Sequence, residues 1–135
     1  MDALLVYIFC YDIWFYFIHR LLHTKYLYFI HKIHHKKYKP EYYDFYTVHF
    51  LEIPIQSFGV ILAVYLYKLY LYQLICAIIF INVRGILTHV ERFTRIIGDH
   101  HLQHHKYIVY NYGEYWLDYL FGTDISNKTK LIENK

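Results

Sequence analysis

The chain is poor in the residues that mark disulfide-rich and nucleic-acid-binding proteins. It has two cysteines in 135 residues, Cys10 and Cys76, and neither has a second cysteine at metal or redox spacing, which excludes a disulfide framework. Only 19% of the residues are charged, and the basic ones alternate with apolar runs rather than forming one continuous basic face. We therefore expect no nucleic-acid partner.

Motifs of common hydrolytic and carboxylate-bridged metal sites are also missing. The chain has no His-Glu-x-x-His sequence, the zinc protease motif, and no Glu-x-x-His set of the kind that carboxylate-bridged diiron bundles use. No Ser-His-Asp or paired-carboxylate arrangement indicates hydrolysis. Met1 leads into an apolar segment without a basic n-region or a small-residue cleavage site, so we expect a retained helix rather than a signal peptide.

Apolar and aromatic residues are abundant instead. The chain is 57% hydrophobic and 22% aromatic, which is too apolar for an ordinary soluble domain, while its many basic residues and histidines exclude membrane spans alone. Apolar runs cover 3–18, 51–66 and 69–83. We predict an all-α, integral-membrane helical bundle with a short N-terminal membrane helix, a helical hairpin whose tip lies around 67–69, and a helical cap that carries most of the histidines.

The cap and the ends of the chain follow from the polar segments. Residues 26–40 mix basic and aromatic side chains and predict a helix lying at the membrane interface, and 100–106 and 114–120 predict short helices. Because most Lys and Arg lie beside the histidines at one side of the apolar runs, we expect the cap to face the cytoplasm. We assign 1–122 to a single membrane-embedded domain and 123–135 to a polar tail.

Histidines in three segments of the chain recur at helical spacing. Residues four apart share a helix face, and neutral imidazole is well suited to holding iron, zinc or copper. One such pair is more often structural than metal-binding, but three sets in separate segments predict a polynuclear metal site. The sets are His19 and His23; His31, His34 and His35; and His101, His104 and His105.

Two polar residues lie on the same helical stripe as the first histidine set. Asp12, Tyr16, His19 and His23 are separated by four, three and four positions. A carboxylate within a membrane helix usually faces a polar interior, and an acid that accepts the second N–H of a ligand imidazole fixes its tautomer. We expect this role for Asp12, with Tyr16 beside it; the alternative is an aspartate that simply lies near the membrane surface.

These patterns resemble the fatty acid hydroxylase / sterol desaturase superfamily of integral-membrane oxygenases. The resemblance covers about residues 12–123, and its order and spacing are more specific than any single motif. It is carried by Asp12-x-x-x-Tyr16-x-x-His19-Arg20-x-x-His23, His31-x-x-His34-His35, His101-x-x-His104-His105, Asn111-Tyr112-Gly113 and Asp118-Tyr119-Leu120-Phe121-Gly122-Thr123.

The resemblance implies an enzyme, an oxidoreductase that hydroxylates or desaturates a lipid C–H bond, sterol or fatty acyl, in lipid biosynthesis at the endoplasmic reticulum membrane. It implies O2 as the oxidant, two iron ions as cofactors, and electrons from a b-type cytochrome and its reductase; the same imidazoles would also take zinc. By motif match the metal ligands would be His19, His23, His31, His34, His35, His89, His101, His104 and His105.

Three further residues are expected behind these ligands. His49-Phe50-Leu51-Glu52 resembles the family's His-Pro-x-Glu entry to the hairpin, with Phe at the Pro position, and Asp99 and Asn111 lie beside the last histidine set. We therefore expect Glu52, Asp99 and Asn111 to support the ligands, and we expect an apolar substrate channel lined by Phe15, Ile18, Phe58 and Ile61.

The histidine pattern leaves two alternatives to the oxygenase. A transporter would place its ligands near the bilayer midplane, whereas these histidines lie at helix ends and in polar stretches. A catalytically silent, truncated metal-binding membrane protein of the same fold is the remaining alternative.

Overall fold

The computed structural model describes residues 2–125, which contain seven α-helices and no β-strand. This confirms the predicted all-α class. The three longest helices form the body of the molecule, and the shorter ones gather at one end of it. The helices are α1 (Ala3–Leu22), α2 (Tyr28–His31), α3 (Glu52–Leu66), α4 (Leu71–Thr88), α5 (Thr94–Ile97), α6 (His100–Tyr107) and α7 (Tyr115–Leu120), with 3-10 turns at His34–Lys36, Tyr42–Tyr46 and Glu91–Phe93.

Helices α1 and α4 are long and apolar enough to cross a membrane. The 20 residues of α1 would reach about 30 Å, close to the thickness of a bilayer's hydrocarbon core. The carboxylate of Asp2 starts this helix by accepting the N–H of Leu4 at 3.0 Å, which satisfies one of the free donors of its first turn. Only 22% of the apolar window of α1, and 11% of that of α4, is buried, so most of their apolar side chains face outward as lipid contact requires.

The predicted hairpin is present, with α3 and α4 joined by a turn at 67–70. Pro54 falls in the first turn of α3, where a missing N–H costs no helical hydrogen bond. Both helices pack principally against α1, and Tyr7 of α1 fastens the turn. Its hydroxyl donates to the carbonyl of Lys68 at 2.6 Å and accepts the N–H of Tyr70 at 3.0 Å.

Small residues let these helices approach closely. Ala63 of α3 and Ala77 of α4 are fully buried in a cluster with Ala3 and Tyr7 of α1, an arrangement typical of membrane helices, which gain their packing energy from close backbone approach. Gly59 of α3 lies against the side chain of Trp14. The indole N–H of Trp14 donates to the carbonyl of Ile55 at 2.8 Å, which fixes the ring in place.

Two expectations about the periphery need correction or qualification. The single interfacial helix predicted over 26–40 is wrong, because the structure breaks it into α2 and the 3-10 turn His34–Lys36, neither of which has a side-chain cap. At the start of the predicted tail, Thr123 and Asp124 are buried. The rest of that tail, 126–135, lies outside the described residues, and the domain boundary at 122 stays a prediction.

Candidate metal centre

All nine histidines predicted as ligands come together at one end of the helices, in two adjacent groups. Within each group the potential ligand atoms lie within 4.8 Å of one another. The groups touch, since the ring centroids of His35 and His105, one from each, are 4.7 Å apart. The five-His cluster contains His19, His23, His31, His35 and His104, and the four-His cluster contains His34, His89, His101 and His105.

Each of the two His-x-x-His-His motifs contributes ligands to both clusters, and the way its three histidines are divided is reversed between the two motifs. The first gives its i and i+4 members, His31 and His35, to the five-His cluster and its middle member, His34, to the four-His cluster. The second motif, at 101–105, does the reverse, with its middle member His104 in the five-His cluster. The helix C-caps complete the groups: His23 ends α1 and His89 ends α4.

In both clusters the ring nitrogens converge at the spacing of ligands around a shared ion. Within the five-His cluster the Nε2 atom of His31 lies 2.8 Å from that of His19 and 3.0 Å from that of His35. In the four-His cluster the Nε2 atom of His89 lies 3.1 Å from that of His34 and 3.2 Å from that of His101. Metal–nitrogen bonds of about 2.0–2.1 Å place two ligand nitrogens roughly 2.9–4.1 Å apart, depending on the angle.

In four of these histidines the Nδ1 atom, which lies on the side of the ring away from the cluster, has a hydrogen-bond acceptor. The Nδ1–H groups donate to backbone carbonyls or, for His31, to the carboxylate of Glu52 at 2.6 Å. With the proton held on Nδ1, each Nε2 atom keeps an unshared lone pair that faces the centre of its cluster. The other three acceptors are the carbonyls of Tyr112 for His19, Gly85 for His89 and Tyr110 for His104.

This arrangement fits metal cations and is poorly explained without them. Inward lone pairs about 3 Å apart repel each other, and each can be satisfied by a positive ion between them. His23 supports the same conclusion, because its Nε2 atom is buried and has no hydrogen-bond partner among residues 2–125. Its ring centroid lies 4.7 Å from that of His104 and 4.8 Å from that of His35. The donor set thus has the chemistry and the spacing of two metal-binding sites.

Burial keeps the clustered imidazoles neutral. It lowers the pKa of His23 to about 3 and that of His35 to about 4, and neighbouring histidines add to the effect. The pKa values of His31, His34 and His104 are likewise lowered, first by burial and then by the surrounding imidazoles. Neutral rings are the form that donates a lone pair to a metal ion.

Asp12 does not have its expected partner. Instead of an imidazole, both of its carboxylate oxygens accept from the guanidinium of Arg84, 72 positions along the chain. The expectation was wrong because it considered only the stripe on α1, whereas α4 packs on α1 and brings an arginine to the same depth. The guanidinium also lies 3.2 Å from Oε1 of Glu114. Nothing in the histidine spacing indicated these two residues.

The segment after α6 holds the backbone carbonyls that orient His19 and His104. Its buried centre is Asp118, whose carboxylate accepts the N–H groups of Tyr112 and Gly113, each at 2.8 Å, the hydroxyl of Thr123 at 2.6 Å, and the Nε2–H of His100 at 3.0 Å. The spacing of the histidines does not reveal this residue, although it lies within the closing motif that carries the family resemblance.

The other expected supporting residues have mixed outcomes. Tyr16 lies behind His19 and donates its hydroxyl to Thr123 Oγ1 at 2.9 Å. Asn111 is fully buried and ties the closing segment to α6, donating to the carbonyl of His100 at 3.1 Å. Asp99 is exposed and accepts from Gln103 at 2.7 Å, not from a ligand ring. Its expected role was wrong because the side chain faces away from the clusters.

A cavity of about 150 Å³ adjoins both clusters. Phe15 lines it as predicted, but the other three expected residues, Ile18, Phe58 and Ile61, do not. Phe58 packs on Trp14, and Ile61 is 61% exposed on the outer face of α3. The wall combines apolar side chains, charged groups and ligand rings, among them Phe15, Phe45, Ile81, Arg84, Glu114, His31, His34 and His101.

These features define an all-helical fold over residues 2–125, with two helices apolar enough to cross a membrane and a histidine-rich centre that has the geometry to hold metal ions. The chain belongs to the fatty acid hydroxylase family, whose model matches residues 4–123. The match confirms the resemblance seen in the sequence and indicates an oxidoreductase that acts on a lipid. Comparison with curated proteins and with solved structures gave no match.

Proposed function

We propose that the protein is a membrane-bound dimetal oxygenase that uses O2 to hydroxylate or desaturate a C–H bond of a lipid, sterol or fatty acyl, in lipid biosynthesis. The observation that carries the proposal is the convergence of nine imidazoles into two adjoining clusters beside a partly apolar cavity. Bound as a pair of iron ions, the metal would supply the redox chemistry by which O2, two electrons and two protons convert R–H to R–OH and water.

The chain's own residues would position that chemistry. The carboxylate of Glu52 and the carbonyls of Tyr112, Gly85 and Tyr110 hold the ligand rings in one tautomer, so the Nε2 atoms need no rearrangement when the metals bind. Phe15 and Ile81 give the cavity wall apolar surface. The ring of Phe15, whose centroid lies 5.0 Å from that of His19, would help to exclude water beside that ligand. Electrons would come from a b-type cytochrome and its reductase.

We further propose that the histidine end faces the cytoplasm at the endoplasmic reticulum. Lysines concentrate in 25–39, next to the clusters, while the hairpin turn at 67–70 has a single lysine, and positive residues favour the cytoplasmic side. In this orientation a soluble electron donor would reach the centre without crossing the bilayer.

The test combines metal analysis with lipid profiling. Purified protein is expected to contain two iron ions per chain, and cells expressing it should gain a hydroxylated or desaturated lipid that cells expressing His104→Ala lack. His49→Ala, which changes a histidine outside both clusters, is the matched control and should keep both properties. Helical content and melting temperature must be measured for each variant. An unchanged lipid profile with well-folded, iron-loaded protein would favour the silent alternative.

A further inference from the structure

One part of the wall of the cavity beside the histidine clusters carries Arg84 and Glu114, two charged residues that are not candidate metal ligands; we call it the charged corner. Among residues 2–125, Arg84 is the only arginine or lysine in the lining of the cavity. If this cavity receives the substrate, as the proposed function requires, the corner decides which polar groups the substrate can carry.

The guanidinium of Arg84 is already shared between two carboxylates. Its Nη1 and Nη2 atoms contact both oxygens of Asp12, and Nη1 lies 3.2 Å from Oε1 of Glu114. One positive charge therefore faces two acids, and a bidentate pair leaves little of the cation for a third anion. Burial raises the pKa of Glu114 while Arg84 acts against this, as expected for a carboxylate whose charge is incompletely compensated.

Glu114 is the member of this group that a ligand can reach. Its side chain is 39% exposed, compared with 21% for Arg84 and 9% for Asp12. Although Glu114 is the N-cap residue of α7, its side chain makes no capping hydrogen bond there. Its oxygens are thus available to accept a hydrogen bond from a molecule in the cavity.

The size of the cavity limits what part of a lipid enters. A volume of about 150 Å³ corresponds to roughly five water molecules at about 30 Å³ each. This holds a polar group and a few carbon atoms, so the remainder of a lipid must lie outside, against the exposed apolar faces of the helices.

We infer that the cavity takes the polar end of a lipid whose headgroup donates a hydrogen bond and carries no negative charge, with Glu114 as the acceptor. Hydroxyl and ammonium groups fit this description and a free fatty acid anion does not. Because the same small cavity adjoins the histidine clusters, the C–H bond presented to them lies within a few bonds of the headgroup rather than in the middle of a long chain.

The experiment measures binding, so that it needs neither O2 nor electrons. Zinc-loaded protein in nanodiscs of zwitterionic phospholipid is titrated with hexadecanol, hexadecylammonium and hexadecanoate, at a pH where the acid is ionised. The titrations are repeated with chelator-treated protein, so that ligation of zinc by the carboxylate is measured separately. The variant Glu114→Gln is expected to bind the ammonium about tenfold or more weakly and the alcohol several-fold more weakly, because a charged acceptor is lost. Binding of the carboxylate should stay the same or become tighter. Whichever of the alcohol and the ammonium the wild-type protein binds more tightly identifies the headgroup.

The matched control is Glu91→Gln, which removes an exposed carboxylate paired with Lys39 and should leave all three affinities unchanged. Zinc content and melting temperature confirm that the variants fold; Glu114→Asp, which keeps the charge, should retain the wild-type preference. Equal losses for the three amphiphiles, or wild-type binding of the carboxylate as tight as that of the alcohol, would overturn the inference. If the alcohol or the ammonium binds as expected but no lipid is converted, only the proposed function is overturned. If a lipid is converted but the carboxylate is the preferred ligand, only this inference is overturned.

Discussion

The two ring nitrogens of His31 have different partners. Nδ1–H donates to Glu52, and Nε2 faces the Nε2 atoms of His19 and His35. The side chains of His31 and Glu52 are each only 1% exposed, so the hydrogen bond between them is shielded from bulk water. A buried acceptor of this kind both fixes the ring orientation and increases the basicity of the opposite nitrogen.

We expect Glu52→Ala to lower the affinity of the five-His cluster for zinc by about 10–100-fold, the usual effect of removing a hydrogen-bond partner from a metal-bound histidine. Glu52→Gln keeps an acceptor oxygen and should lose less. Competition with a chromogenic chelator in detergent measures both values. An alanine variant with wild-type affinity would show that Glu52 does not orient a ligand.

The buried histidines also predict how the metal-free protein responds to pH. An unfolded imidazole takes up a proton below about pH 6.5, whereas His35 and His23 resist protonation in the folded state until about pH 4 and 3. The unfolded state therefore binds more protons in this window, and stability falls as the pH is lowered below 6.5. Each such group weakens folding by about 1.4 kcal/mol per pH unit.

Denaturant unfolding of chelator-treated protein in detergent, from pH 7.5 down to pH 5, measures this effect. The variant His35→Gln should show a smaller pH slope than the wild type, whereas His49→Gln, outside both clusters, should keep it. A pH-independent midpoint for the wild-type protein would show that the clustered imidazoles are not held neutral.

At the scale of the helices, α1 and α3 approach each other closely at Gly59. A Cβ atom there would lie 2.8 Å from Trp14 Cβ and 2.9 Å from two of its ring atoms. Alanine normally stabilises a helix relative to glycine by up to about 1 kcal/mol. Overpacking typically costs about 1–3 kcal/mol, and the anchored indole of Trp14 leaves little room to relax. The clash therefore outweighs the gain in helix propensity, and the net change in stability is a loss.

We therefore expect Gly59→Ala to destabilise the protein by about 1–3 kcal/mol, seen as a lower melting temperature in detergent. Ile61→Ala is the control within the same helix, because Ile61 is 61% exposed on the outer face and its truncation leaves the contact with α1 intact. A melting temperature for Gly59→Ala equal to or above that of the wild type would contradict this account of the interface.

Sequence patterns predicted the elements better than their partners. Apolar runs and histidine spacing are local signals, and they located the hairpin and eight of the nine clustered histidines. The ninth, His89, was expected only from the family resemblance. The partner of Asp12 lies 72 positions away on α4, beyond the reach of any periodicity. The acceptors for His19 and His104 are the backbone carbonyls of Tyr112 and Tyr110, which any residue type supplies. The alternation of each histidine motif between two clusters likewise depends on tertiary packing.

For the whole molecule, each cluster joins ligands from segments that lie far apart in the chain. The five-His cluster draws on the end of α1, on α2 with the turn that follows it, and on α6, while the four-His cluster adds the end of α4. Metal ions that bind the folded state alone stabilise it by about 4 kcal/mol when their free concentration is 1,000 times the dissociation constant.

Chelation should accordingly lower the melting temperature, and readdition of zinc or ferrous iron should restore it, with saturation at two ions per chain. His104→Gln is expected to reduce this stabilisation, while His49→Gln should leave it unchanged. Metal titration followed by differential scanning fluorimetry in detergent measures both. Equal melting temperatures with and without metal would contradict a role for the clusters in holding the molecule together.

Two pairs of adjacent histidines, His34–His35 and His104–His105, each contribute one ring to the five-His cluster and one to the four-His cluster. In each pair, one peptide unit links a ligand of one ion to a ligand of the other. The first ion to bind therefore immobilises the backbone that carries ligands for the second. Occupancy should rise steeply with metal concentration, with a Hill coefficient above one. A residue inserted between His34 and His35 should lower this coefficient, and a second insertion between His104 and His105 should make the two loading events independent.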